Sequence, residues 1–289
     1  MANVNGTKVL VTGATGNTGY GLVPALCRAG VAVRALVRDE MKAGLLKQAG
    51  AEIVVGDLDR PETIAPAVEG IDKIYLLTWN GPSQARQVRN VIDAACQAGR
   101  PHLVRHSAWG SPKSRIITQI AQAEEAVKAS GLPWTIIKPT FFMQNVVMGA
   151  QTVAADGTIY WDMGDGELAM IDVRDIVDVA VAVLTGEGHE GKSYILTGPE
   201  AISFHDVAAT LAEVLNKEVG YVNVPGEAAC ESMVSMGLPE WVAQGYVELS
   251  EGFSEGFARQ PTENVAALTG HPARSFAQFA RDYAEIFGG

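Results

Sequence analysis

Val9-Leu10-Val11-Thr12-Gly13-Ala14-Thr15-Gly16-Asn17-Thr18-Gly19 joins an apolar, β-branched run to a helical pattern through glycines spaced GxxGxxG. That order predicts a strand, a tight turn and a helix whose first amides face an anion. Gly13 permits the turn, Gly16 lets backbone approach a pyrophosphate, and Gly19 lets the helix pack closely on the strand. Thr15, Asn17 and Thr18 complete the loop. A glycine-rich turn alone is a common feature. Here a second apolar strand, Ala32–Val37, follows where a βαβ unit requires it, so the stretch reads as a dinucleotide-binding turn.

Outward from this turn, strand and helix patterns alternate. Strands are expected at 8–12, 32–37, 52–55, 73–77, 102–106 and 134–137, and helices at 18–29, 41–49, 61–68, 83–98 and 118–130. Gly30, Gly50, Gly70 and Gly99 follow four of these helices as stop signals. Alternation of this kind implies right-handed crossovers and a buried parallel sheet. The predicted fold is α/β, a doubly wound (Rossmann) sheet with ligand at the carboxyl ends of its strands. Beyond Pro139 the rhythm changes. A helix is expected at 173–184, a strand returning to the main sheet at 193–196, and a helix at 204–215 with Ser203 as N-cap. From about residue 220 the chain reads as mostly helical and irregular. The expected division is a dinucleotide-binding domain over 1–200, with 140–170 on its substrate side, and a small helical cap lobe over 201–289.

Composition narrows the function classes. The chain has 289 residues, 47% of them hydrophobic, enough for a large core. A net charge of -11 with no long Lys/Arg run argues against nucleic acid as a partner. Cys27, Cys96 and Cys230 form neither a disulfide framework nor a metal-ligand spacing, and no metal site is expected. No signal segment or membrane-length apolar run is evident, which predicts a cytoplasmic protein whose partner is a small molecule. Assembly as a homodimer is left open.

The order of motifs resembles the NmrA-like group of atypical short-chain dehydrogenases. Val11 to Gly19, Val33-Arg34-Ala35-Leu36-Val37-Arg38 and Gly56-Asp57-Leu58 carry the resemblance in the first half. Ser130 to Pro139, Phe142-Met143-Gln144-Asn145 and Ile171-Asp172-Val173-Arg174-Asp175-Ile176 continue it. The resemblance implies NADP(H) as cofactor. It also implies either a reductase of quinones or triphenylmethane dyes, or a non-catalytic redox sensor acting through a protein partner.

Within that frame each position has a chemical reading and a plainer one. Arg38 follows the second strand, where a guanidinium can pair with the 2′-phosphate of NADP; otherwise it is a solvated arginine near Asp39 and Glu40. Asp57 and Leu58 border the adenine by resemblance, although an Asp there also suits an Asx turn. Leu77 and Thr78 end the fourth strand, on the ribose or nicotinamide side. Trp79 is a substrate wall or a loop anchor. Ser107 stands where ordinary short-chain dehydrogenases place a catalytic serine. Lys138 and Pro139 close the sixth strand, and Lys138 reaches a ribose, an oxyanion or a structural ion pair. Phe141, Phe142 and Asn145, with Met143, form an acceptor pocket or a staple between lobes.

The YxxxK pair of those enzymes has no counterpart. Ile120 and Glu124 occupy its positions, and no tyrosine lies between Tyr75 and Tyr160. Reducing an isolated ketone requires a placed proton donor, and this helix offers no phenol for it. A delocalised product anion, or a cationic acceptor, relaxes that requirement. The sequence therefore points to NADPH-dependent hydride transfer to a planar, electron-poor acceptor such as a quinone or dye, with no single catalytic residue assigned.

Overall fold

The computed structural model of the chain describes residues 6–288. Its elements begin with β1 (Lys8–Val11), α1 (Asn17–Arg28), β2 (Ala32–Val37), α2 (Gly44–Gln48), β3 (Glu52–Val55) and α3 (Pro61–Val68). They continue with β4 (Lys73–Leu76), α4 (Gln84–Gln97), β5 (His102–His106), α5 (Arg115–Ala129) and β6 (Trp134–Pro139). The strands stand in the order β3-β2-β1-β4-β5-β6, and each neighbouring pair is parallel. A seventh strand, Lys192–Leu196, completes the sheet beside β6. This is the doubly wound order expected, with its switch point between β1 and β4.

The remaining elements are α6 (Ala150–Asp156), β7 (Thr158–Trp161), α7 (Val173–Thr185), β8 (the strand Lys192–Leu196), α8 (Phe204–Leu215), β9 (Gly220–Asn223), α9 (Gly226–Ser235), α10 (Glu240–Ser254), α11 (Asn264–Thr269) and α12 (Phe276–Asp282). Among the described residues no helix is long and apolar enough to cross a membrane.

By internal packing the chain divides into two compact units. The first is Met1–Ala108, Gln119–Lys138 and Ile176–Tyr194; the second is Trp109–Thr118, Pro139–Asp175 and Ile195–Gly289. The sequence suggests one boundary near residue 200, whereas this division returns to each unit repeatedly.

In the first unit, one face of the sheet buries Leu10, Leu36, Ile74, Leu76 and Leu103 against α3, α4 and α5 through Ile64, Val68, Val88, Val91, Ile92 and Val127. Every residue of β5 is buried, as a strand covered on both faces must be. On α1, Gly21 is closely approached by Val177 of α7: a Cβ built there would lie 3.0 Å from the valine Cγ2.

In the second unit, β7 and β9 pair parallel, Thr158 with Gly220 through Trp161 with Asn223. This small sheet lies outside the strands expected from the sequence, and β9 falls where the chain reads as mostly helical and irregular. The core beside it gathers Val153, Ile159, Phe204, Leu211, Phe253, Phe276 and Phe279. Ser203 caps α8 as expected, in a full capping box with Asp206. Where one helix is expected at 41–49, Asp39 accepts the Met41 amide to open a 3-10 turn at Glu40–Ala43, and α2 follows. α5 begins three residues before its expected start of 118, and Arg115 there holds Glu248 of α10 through both its amide and its guanidinium.

Phe204 is fully buried and stacks on Trp161 with ring centroids 5.4 Å apart. Phe204→Ala is expected to lower the unfolding free energy by about 3–5 kcal/mol. Urea denaturation followed by tryptophan fluorescence measures it.

Candidate active site

The switch point sets the geometry of the first unit's carboxyl edge. Thr12 follows β1 and its hydroxyl binds both sides of Leu77: it donates to the Leu77 carbonyl at 2.7 Å and accepts the Leu77 amide at 2.9 Å. The turn after β1 and the loop after β4 are thus tied together. Gly13 has φ +62°, and a Cβ on it would lie 3.0 Å from the Leu77 side chain. Only glycine fits that combination of backbone and space.

Gly16 precedes α1 as its N-cap, and no side chain caps the helix. The first turn carries no acidic residue. A helix start of this kind presents its leading amides and the positive end of its dipole to an anion. Gly19 is buried, and a Cβ there would overlap the Gly13 carbonyl and lie 2.6 Å from the Ala14 Cα. Gly13, Gly16 and Asn17 are exposed, Thr15 is half-buried, and Thr18 is buried at the start of α1. These residues form one contiguous cradle. Thr78, two residues beyond β4, is buried, and its hydroxyl has no partner among the described residues. An orphaned hydroxyl at a switch point fits a bound ligand. Together these features fit a dinucleotide.

Arg38 is exposed just past β2. Asp57 turns its carboxylate onto the Asp59 amide at 3.0 Å, an Asx turn, and its own amide and carbonyl are bound by the Thr63 hydroxyl. The Leu58 carbonyl accepts from the Asn90 side chain at 2.8 Å. Trp79 is 55% exposed.

Ser107 follows β5 and is buried; its hydroxyl donates to Glu124 of α5. The other Glu124 oxygen lies 2.5 Å from the ammonium of Lys138 on β6. Ser107 and Lys138 therefore meet through a carboxylate. α5 carries Glu124 on its buried side and, one turn earlier, buried Ile120. Sequence reading named the serine and the lysine but missed Glu124 as their link. Its position one helical turn after Ile120, on the buried side of α5, was the available signal.

The same face of β5 holds Arg105, also fully buried, whose guanidinium donates to the Leu76 carbonyl at 3.0 Å. Burial pushes its pKa down to about 10, opposed by the nearby Glu124 charge, so it stays cationic at neutral pH. On the opposite face the Tyr75 hydroxyl meets His106 Nδ1 at 2.5 Å.

Pro139, Phe141, Phe142 and Asn145 belong to the second unit. The Pro139 carbonyl accepts the Trp109 amide at 2.8 Å. Phe141 packs edge-on against Trp161, Phe204 and Phe253, within that unit's aromatic core. Phe142 bridges to Ile171, and Asn145 is half-buried with its amide on the Phe142 carbonyl.

The fold and the cradle at its switch point define a dinucleotide-binding protein of the Rossmann class. The chain belongs to the NmrA-like family, whose model matches residues 5–271. It is 38% identical over 283 residues to an NAD(P)H azoreductase of Xenophilus azovorans, covering 97% of this chain and 99% of that protein. Quinone oxidoreductase 2 of Escherichia coli is 28% identical over 275 residues, covering 93% and 96%. The crystal structure of that species' NADPH-dependent quinone oxidoreductase complexed with NADPH superposes with a TM-score of 0.86 at 26% identity, covering 96% of this chain and 99% of that one.

Burial, the largest cause, pushes the His106 pKa down to about 3 and the His102 pKa down to about 4, with neighbouring Arg105 and Lys73 adding to each. Both imidazoles are neutral in the fold and would ionise near their ordinary value of about 6.5 once unfolded. Their contribution to stability is therefore present above about pH 6.5 and is lost as pH falls toward about 4 for His102 and about 3 for His106. The loss should run near ~1.4 kcal/mol per pH unit for each histidine. A His102→Gln, His106→Gln double variant should show a shallower decline when denaturation is compared at pH 7, 6 and 5.

Proposed function

We propose that this protein is an NADPH-dependent reductase of planar, electron-poor acceptors: quinones, azo compounds and cationic dyes. The observation that carries the reading is α5. It carries buried Ile120 and an ion-paired Glu124 that accepts from Ser107, and it offers no phenol of the kind that enzymes acting on isolated carbonyls need. Acceptors whose reduced form spreads its charge, or that begin as cations, do not require a strong acid at the moment of reduction. The named azoreductase and quinone oxidoreductase relatives support the same class.

The residues divide the work. Gly13, Thr15, Gly16, Asn17, Thr18 and Gly19 hold the diphosphate on the start of α1, where amide donors and the helix dipole favour negative charge. Arg38 takes the 2′-phosphate through a charge-assisted pair and so selects NADPH over NADH. Asp57 and Leu58 border the adenine, largely by backbone, since the Asp57 carboxylate is committed to its own turn. Leu77 and Thr78 border the ribose and nicotinamide, with the Thr78 hydroxyl gaining the partner it lacks. Ser107, Lys138 and Pro139 close that edge. Bound NADPH supplies the hydride. In the first unit Trp79 is assigned to the acceptor; in the second, Phe142 and Asn145 carry the same assignment, and Phe141 packs against Trp161, Phe204 and Phe253. Stacking and exclusion of water provide the remaining rate enhancement by holding the reactants in attack geometry.

Purified protein mixed with NADPH and a panel of quinones, azo compounds and triphenylmethane dyes should lose absorbance at the dihydronicotinamide band. Absence of turnover on every member would reject the reading in favour of a regulator that only binds the dinucleotide. Arg38→Ala should raise the Kd for NADPH about 10- to 100-fold, the loss of a hydrogen-bonded charge pair, and change that for NADH far less. Fluorescence titration distinguishes this from equal weakening of both, which would remove Arg38 from the cofactor site.

A further inference from the structure

We propose that Lys138, Glu124 and Ser107 form a proton relay that runs from solvent to the reduced acceptor and stands in for the absent tyrosine. The proposal rests on the reductase reading above.

Three observations carry it. The groups are in direct sequence: the Ser107 hydroxyl on one Glu124 oxygen, the Lys138 ammonium 2.5 Å from the other. Exposure distinguishes the two ends. Ser107 and Glu124 are buried alike, each 5% exposed, whereas the Lys138 side chain is 17% exposed, so solvent reaches the lysine end. The third is the cost. A carboxylate and an ammonium taken largely out of water do not add stability in proportion to their attraction, and an apolar pair of similar volume commonly serves as well. Lys138 and the Ser107 that Glu124 also binds stand instead at the carboxyl ends of β6 and β5, the edge where such folds bind their ligands. Arg105, the other charge facing Glu124, is engaged with the Leu76 carbonyl. Glu125, the further charge near Lys138, pairs with Lys128 on the surface.

Hydride addition to a quinone leaves an oxyanion that must gain one proton. In the resting arrangement Ser107 gives its O–H to Glu124 and has none for a substrate. Proton transfer from the Lys138 ammonium to the carboxylate reverses this. After a half-turn of the carboxyl group, its new O–H donates to Ser107 Oγ, and the serine O–H is released toward the oxyanion. One N–H bond of Lys138 breaks and one O–H bond forms on the product; Glu124 and Ser107 end as they began, and Lys138 recovers its proton from water. Ser107 is the residue that touches the substrate, and Glu124 and Lys138 act through it.

The test exploits two acceptors with different proton demands. Reduction of a quinone needs the proton. Reduction of a triphenylmethane cation yields a neutral product without one. In Glu124→Gln and Ser107→Ala, the ratio of quinone turnover to dye turnover should fall on the order of 10²-fold relative to wild type. Their quinone kcat should rise as pH falls, and with added imidazolium buffer, while the wild-type rate responds to neither. Quinone and dye rates that fall together, or a ratio that does not move in either variant, would overturn the relay and leave a structural ion pair. So would a wild type that reduces the dye but no quinone or azo compound. A wild type that reduces no acceptor fails the reductase reading instead, and the two failures are told apart in the same assay. Circular dichroism and thermal melting of both variants establish that they are folded.

Discussion

The start of α1 has to touch the turn that delivers it. Gly19 lies so close to the Gly13 carbonyl and the Ala14 backbone that no side chain can separate them. That contact fixes where the first helical amides point. The Thr12 hydroxyl then ties the turn to the loop after β4. Three features of the candidate cradle surround this local packing: the uncapped helix start, the Gly13 turn against Leu77, and Thr78 with its hydroxyl unused. A methyl group at Gly19 would displace the turn as a unit, because its neighbours are backbone rather than movable side chains.

Much of this was legible because the relevant signals are local. A strand covered on both faces is a short apolar run, and the glycines after the helices mark their ends. The Ser203 cap was readable for the same reason, since its partner Asp206 lies within one turn. What the sequence concealed depends on distant partners. The early start of α5 answers to Glu248 on α10, and the β7–β9 pair joins segments about sixty residues apart. Neither partner leaves a trace in the neighbouring sequence. The two-residue Asx preference of Asp39 was local, but it redirected only the first turn of an expected helix.

The candidate site divides along the same line. The cradle glycines, Arg38 and Thr78 are read as candidates from their position after a strand. Glu124 was read only as the absence of a lysine. Its meaning required the fold to bring Ser107 and Lys138 to its two oxygens from separate strands. A residue that departs from an expected motif can therefore stand at the centre of a buried network of its own. Arg105 shows the related electrostatic point: a fully buried cation is retained because it holds a strand-end carbonyl and lies near the Glu124 charge.

The way the chain is shared between its two units bears on how such a protein could be re-engineered. The polypeptide passes from one unit to the other five times, and four of the passages fall inside α5, β6, α7 and β8. Neither unit is a single contiguous fragment. Exchanging one unit between relatives by joining a front half to a foreign tail would cut through both at once. Grafting would have to proceed segment by segment, as with a mosaic rather than a pair of beads on a string.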